Sequence, residues 1–192
     1  MSDKGMRSEE VMLPDKTRVF SYQKAREVFR TIDIRKITVS DAVLLLLFSQ
    51  SDKPIHGRTS MMKQVFLFLH EILGRERVHD PKFVPGRFGM YSFYVTNTLS
   101  NLEFAGYIVR RGRRNTRVEN FQISEKGKDY VSKLFDSLPG DLQKIAREKR
   151  RGWDQLGYDG ILRYVYKKYP TYRDTSVLRD RYAAIVWGRG TG

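Results

Sequence analysis

Between Tyr107 and Ile123 the hydrophobic pattern changes period, and that change sets the architecture. Upstream, from Asp41 to Gly106, apolar residues recur at spacings of three and four, as in helices with one buried face. Tyr107-Ile108-Val109 is β-branched and aromatic, and Arg111-Gly112-Arg113-Arg114-Asn115-Thr116 is rich in turn formers. Val118 to Ile123 is a second extended run, with Phe121 and Ile123 on one face. Two extended runs around such a tip predict a β-hairpin. From Ser124 the helical spacing returns, carrying Tyr130, Val131, Leu134 and Phe135. The order helix, helix, helix, hairpin, helix predicts a mainly α fold with a small β-hairpin. It is expected to be a winged helix-turn-helix core with N- and C-terminal helical extensions.

Within that core, Ser40 is the expected N-cap of a helix from Asp41 to Gln50, with Asp41 suited to the positive end of the dipole. This helix is apolar nearly all round, so it is expected at the centre. Ser51-Asp52-Lys53-Pro54 breaks it. A second helix is expected after Thr59 or Ser60, ending near Gly74. Met61, Val65, Phe68, Leu69 and Ile72 form its stripe, and Lys63, Gln64, His70 and Glu71 are expected on the opposite side. A loop with Pro81, Pro85, Gly86 and Gly89 leads to a third helix, from Tyr91 or Ser92 to about Gly106. There Tyr91, Val95, Leu99 and Leu102 face one way, and Phe93, Thr96, Asn97, Ser100 and Phe104 face the other.

Three regions follow: 1–37, an N-terminal tail and helix; 38–136, the winged-helix domain; and 137–192, a C-terminal helical extension. The first has a polar lead-in to about residue 15 and a helix from Thr17 to Thr31. The last has helices from Asp141 to about Arg151 and from Asp159 to Tyr169. Beyond them an apolar segment carries Val177, Leu178, Tyr182, Ile185, Val186 and Trp187, which must pack on the body or on a second chain.

Four stretches carry a resemblance: GRTSMMKQVFLFLHEIL at 57–73, FGMYS at 88–92, FQISEKGKDYV at 121–131 and ILRYVYKKYP at 161–170. In order and spacing they resemble the YwgA-type winged-helix family and, more distantly, the Panacea domain of antitoxins. The likeness spans roughly residues 40 to 178. Gly57-Arg58-Thr59 matches the family's opening motif, and Gly89, Met90, Tyr91 and Ser92 match its glycine-X-tyrosine-serine turn, with Met90 where proline is common. The resemblance implies a winged-helix core and no known catalytic residues. The antitoxin relatives imply neutralisation of a protein partner.

A net charge of +14 favours polyanionic partners. The sharpest concentration is in the hairpin, where Arg110, Arg111, Arg113, Arg114 and Arg117 fall within eight positions, opposed by Glu119. Guanidinium forks match phosphate geometry, so these five residues are the first candidates for contact with nucleic acid. Thr96, Asn97 and Ser100 on the third helix are candidates for bases or phosphates, although that helix brings Glu103 and no arginine. Arg87, beside Gly86, is a candidate for phosphate at the mouth of the same helix. A second basic run, Lys144 to Arg151, is a candidate extension of the track.

Other chemistry finds little footing. There is no cysteine, and His56, His70 and His79 are not spaced as metal ligands on one helix. Nucleotide-loop, zincin and nucleophile-elbow motifs are absent, so neither an enzyme nor a cofactor is expected. His79-Asp80 before Pro81 reads as a turn. The N-terminus lacks an apolar leader, and the longest apolar run, Ala42 to Phe48, cannot span a bilayer, so no membrane association and a cytoplasmic location are expected. The leading expectation is a duplex-DNA-binding transcriptional regulator, with a homodimer through the C-terminal segment as a candidate assembly. The alternatives are an antitoxin-like protein-interaction module, anchored by Phe93, Phe104 and Ile185-Val186-Trp187, and an RNA-binding protein stacking bases on Tyr158 to Tyr172.

Overall fold

The computed structural model describes residues 10–12, 18–20, 37–74, 77–116, 118–172 and 176–177. The chain divides into two units, 1–35 and 36–192. In the first, β1 (Glu10–Met12) pairs antiparallel with β2 (Arg18–Phe20), Val11 opposite Val19. This corrects two expectations. Residues 10–12 form a strand instead of an unstructured lead-in, and residues 18–20 are extended where a helix was expected. The remainder of the Thr17–Thr31 segment lies outside the described residues.

The second unit is mainly helical, with a small antiparallel sheet. Helix α1 (Val39–Phe48) begins two residues before its expected start. Its N-cap is Thr38, not Ser40, because Asp41 closes a capping box on Thr38. The Thr38 hydroxyl accepts from Asp41 N at 3.1 Å, and the Asp41 carboxylate accepts from Thr38 N at 3.1 Å. Such a box contributes about 1 kcal/mol. Ala42 to Leu47 are all buried, so α1 is the core helix. Its Phe48 meets Phe135 edge-on at 5.1 Å.

Strand β3 (Ile55–His56) leads directly into α2 (Arg58–Leu67), which continues as a π-helical segment (Phe68–Leu73) ending at Gly74. Helix α2 is buried from Ser60 to Leu67 without a break. Lys63 and Gln64, expected toward solvent, are therefore inside, at 1% and 3% exposure. Two elements cover that side. One is a ribbon absent from the sequence expectation, β4 (Val84–Gly86) paired with β5 (Gly89–Tyr91). The other is the long C-terminal helix.

Helix α3 (Phe93–Phe104) follows, capped by the Ser92 hydroxyl, which accepts from Val95 N at 3.1 Å. Val95, Thr98, Leu99 and Leu102 are buried, while Phe93 and Phe104 are 71% and 96% exposed. Strands β6 (Ile108–Arg111) and β7 (Asn120–Ile123) form the expected hairpin, Ile108 opposite Ile123. The sheet has a third member: β3 pairs with β7, Ile55 opposite Phe121, giving the order β3-β7-β6. At the tip, Gly112 has φ +79°, and a Cβ there would stand 2.1 Å from the Val118 carbonyl oxygen. No other residue type fits that position.

Ser124 caps α4 (Glu125–Asp136), which buries Val131 and Phe135. Helix α5 (Gly140–Lys168) covers both expected C-terminal helices in one path, kinked at Gly157. Tyr164 and Tyr169 direct their hydroxyls to the Glu71 carboxylate at 2.9 and 3.1 Å, and Lys168 Nζ joins them at 2.9 Å. This cluster fastens α5 to the π-helical segment. Tyr166 is fully buried, its hydroxyl 2.7 Å from Ser176 Oγ. These tyrosines serve packing and internal hydrogen bonds instead of offering a stacking surface. Of the C-terminal apolar segment only Val177 is described, 60% exposed; residues 178–187 lie outside the described residues. Among the described residues no helix is long and apolar enough to cross a membrane.

Candidate nucleic-acid interface

The five hairpin arginines do not act as one group. Arg110 is the exception, because side chains alternate along β6 and it shares the inward side with Ile108. Its side chain is only 3% exposed. Its Nε donates to Glu103 Oε1 at 3.1 Å, a second donor reaches Glu103 Oε2, and Nη1 lies 3.5 Å from Glu119 Oε1. Two carboxylates neutralise it, so Arg110 is a structural residue and is withdrawn from the phosphate-contacting set. Arg117 lies outside the described residues.

Arg111, Arg113 and Arg114 remain. All three are exposed. Arg114 stands 3.5 Å from Glu103 Oε2 with its side chain 69% exposed, the kind of surface pair that contributes little and exchanges readily. Among the described residues no carboxylate lies within ion-pair distance of Arg111 or Arg113. Uncompensated guanidinium groups on a rigid turn repel one another, and a polyanion relieves that repulsion.

The rigidity comes from Glu119. Its carboxylate is fully buried and accepts from Arg58 at 3.2 Å and from Asn115 N at 2.8 Å, besides facing Arg110. The acidic residue that opposes the arginine cluster in sequence therefore holds the root and the tip of the ribbon instead of cancelling the exposed charges. Glu103 has a similar role. The acid that counted against α3 as a nucleic-acid surface is occupied by Arg110 and Arg114.

The polar face of α3 points outward as expected, with Asn97 and Ser100 exposed and Thr96 half-buried. Thr96 is engaged internally, its Oγ1 2.9 Å from the Tyr91 hydroxyl and 3.1 Å from the Ser92 carbonyl oxygen. Ser100 donates to the Thr96 carbonyl at 3.3 Å. Among the described residues none hydrogen-bonds the exposed Asn97 amide. The ribbon's ion pairs reach Glu103, six residues beyond Asn97, or about 9 Å along the helix axis. Asn97, Ser100 and the ribbon tip thus lie along one helix.

Arg87 lies on the β4–β5 turn, exposed, with its guanidinium 5.6 Å from the Phe88 ring centroid. Its carbonyl accepts from Val177 N at 3.0 Å. A single cavity of about 1160 Å³ is lined by Arg87 together with Asn115 and Thr116 of the other ribbon. Arg87 therefore shares a concavity with Asn115 and Thr116 at the end of the β6–β7 ribbon.

The second basic run is divided as well. Arg150 is wholly buried, paired with Asp154 and donating to the Lys53 carbonyl at 3.2 Å. Burial pushes its guanidinium down to about 10, against the opposing pull of Asp52. It locks α5 to the turn after α1 and does not extend a phosphate track. Lys144, Arg147, Lys149 and Arg151 are exposed, Arg147 lying 4.9 Å over the Phe135 ring. Asp80 Oδ1 accepts from Lys82 N at 2.9 Å, the turn expected of His79-Asp80-Pro81.

No protein family, no curated protein and no solved structure matches the chain. Among the described residues no three histidine, aspartate or glutamate side chains are grouped to hold a metal ion.

Proposed function

We propose that this chain is a winged-helix protein of the YwgA-like kind that binds duplex DNA as a transcriptional regulator. The observation that carries the reading is the pair Arg111 and Arg113, exposed on a ribbon tip anchored by the buried Glu119 and without carboxylate partners among the described residues. The topology supports it: a short strand between the first two helices pairs with the ribbon's return strand, the arrangement of a helix-turn-helix with a wing. On this reading Arg111, Arg113 and Arg114 neutralise phosphates, and Asn97 and Ser100 border the groove.

The test is titration of random-sequence duplex DNA by fluorescence anisotropy between about 50 and 200 mM salt. Each phosphate neutralised adds about −0.9 to the slope of log K against log salt, so replacing Arg111, Arg113 and Arg114 by alanine should flatten it by about 2.7. A slope left unchanged removes the wing from the interface.

A second reading has one observation in its favour. Phe104 is 96% exposed and Phe93 71% exposed on the same helix, as expected of anchors for a protein partner. A stoichiometric protein partner lost on Phe104→Ser, with no affinity for duplex DNA, would favour this antitoxin-like role.

A further inference from the structure

We propose that the cavity at the start of α2, which borders the ribbon tip at Asn115 and Thr116, is a binding site for a phosphate-bearing ligand of the nucleotide class. The cavity, about 1160 Å³, lies between the first turn of α2, the β4–β5 ribbon and the kink of α5. That volume accommodates a mononucleotide.

The anion end is the helix start. Gly57 is the N-cap and has no side chain to offer, so no cap hydrogen bond covers the first turn of α2. The amides of Arg58, Thr59 and Ser60 precede the first intrahelical bond, which runs from Met61 N to the Gly57 carbonyl. All three residues line the cavity. Exposed amides at the positive end of a helix form an anion site.

Two buried atoms without partners, on Gln64 and Arg58, point independently to a missing ligand, and a buried lysine lies beside them. Lys63 is 1% exposed, and among the described residues no carboxylate pairs with it. Its amine donates to the Phe88 and Met90 carbonyls, at 2.6 and 3.0 Å, and a phosphate beside it would favour the ammonium form, which has a third hydrogen to give. Gln64 is 3% exposed and donates to Asp154 Oδ1 at 3.0 Å, while its Oε1 has no partner. Arg58 Nε is likewise buried without an acceptor, although Nη2 holds Glu119. Lys63, Gln64 and Arg58 all line the cavity. Unsatisfied buried donors and acceptors are costly, and an occupant carrying anionic oxygens and hydroxyl or amino hydrogens satisfies Arg58 Nε and Gln64 Oε1.

The opposite wall selects the rest of the ligand. Trp153 and Tyr158 on α5 contribute aromatic surface on either side of the Gly157 kink. A planar base suits that wall, with the phosphate on the α2 amides, Arg58 and Lys63, and a hydroxyl or amine on Gln64 Oε1.

Trp153 is one of two tryptophans in the chain, so Trp187→Phe leaves it as the only reporter, placed in the cavity. Protein without DNA is titrated with ATP, GTP, inorganic pyrophosphate and adenosine, so failure here leaves the DNA-binding reading standing. A saturable change in Trp153 emission is expected with ATP or GTP, with weaker affinity for pyrophosphate and none for adenosine over the same range. Arg58→Ala should weaken binding at least about tenfold. Thr59→Asp should do the same while keeping the fold, because an acid in the first turn suits the helix dipole as it repels phosphate. The proposal is overturned if no probe gives a saturable change, if adenosine matches ATP, if pyrophosphate matches both nucleotides, or if Thr59→Asp leaves affinity unchanged. In a separate titration, a Trp153 response to duplex DNA with none to the nucleotides also overturns it and makes the cavity part of the nucleic-acid track.

Discussion

The Glu119 carboxylate lies 3.2 Å from the Arg58 guanidinium with none of its surface exposed, so the ribbon's root is pinned to the first turn of α2. The same oxygen faces Arg110 at 3.5 Å, and the other accepts from Asn115 N. A buried carboxylate between two guanidinium groups cannot be removed cheaply, because Arg58 loses its counter-charge and Arg110 one of its two. Glu119→Gln should therefore lower the free energy of unfolding by about 3 kcal/mol, the scale for breaking a buried ion pair. Urea unfolding followed by far-UV circular dichroism measures this. A midpoint equal to wild type would show that the pair adds nothing to stability.

Arg110 and Arg113 are three residues apart and should behave oppositely. Arg110→Ala removes the buried partner of Glu103, leaving it only the exposed Arg114, and one of the two cations on Glu119, and should destabilise the fold by about 2 kcal/mol. Arg113→Ala removes an exposed side chain with no ion pair, and should change stability by less than about 0.5 kcal/mol. Its effect should appear instead in DNA binding, as a salt slope shallower by about 0.9. Thermal melts and anisotropy titrations on the two variants separate the roles.

Lys63 gives the protein a distinctive pH profile. Burial lowers its pKa from 10.5 to about 7, so between those values the folded protein leaves it neutral while the unfolded chain binds a proton. The unfolded state then holds more protons, and stability rises with pH across that window, by up to about 1.4 kcal/mol per unit. Below about pH 7 both states are protonated and Lys63 adds no further pH dependence. The neighbouring Tyr166 phenol is raised above 10, and Arg150 titrates from about 10 upward, so readings between about pH 7.5 and 9.5 isolate the lysine. Lys63→Met should flatten the rise in urea-derived stability over that range. A slope that persists in the variant would assign it to another group.

The main helices and the β6–β7 ribbon were legible because each is a long, regular pattern with a clear change of period. What escaped was charge on the inside. Lys63 shares its helical face with Phe66 and Leu67 but also with His70, so spacing leaves its side open, and its burial comes from the β4–β5 ribbon and α5 packing over α2. Arg110 is two residues from Ile108 on a strand, and the period of two sets it inward. Pro81, Pro85, Gly86 and Gly89 mark a loop in sequence and conceal the β4–β5 ribbon, yet an isolated two-stranded ribbon leaves Pro85 without need of a ladder donor. The buried role of Glu119 had no local signal, since its partners Arg58 and Arg110 come together only when β3 adds to β7. The cavity is likewise a product of tertiary packing: Arg58, Arg87 and Trp153 are far apart in sequence.

Two glycines in α5 should respond to alanine with opposite signs. Gly152 sits within the helix, and a Cβ there meets nothing within 4 Å. Gly152→Ala should stabilise by about 0.5–1 kcal/mol, since alanine loses less backbone entropy on entering a helix. Gly157 also has open space around its Cβ position, but its φ of 63° and ψ of −170° belong to a region essentially closed to residues with a side chain. Gly157→Ala should destabilise by about 1–3 kcal/mol through backbone strain alone. Because steric contact is absent at both sites, the difference in urea midpoints between the two variants reads the backbone term directly. Were Gly157→Ala instead stabilising, α5 would be straight at that position in solution, and the wall of the cavity that the kink shapes would not exist as described.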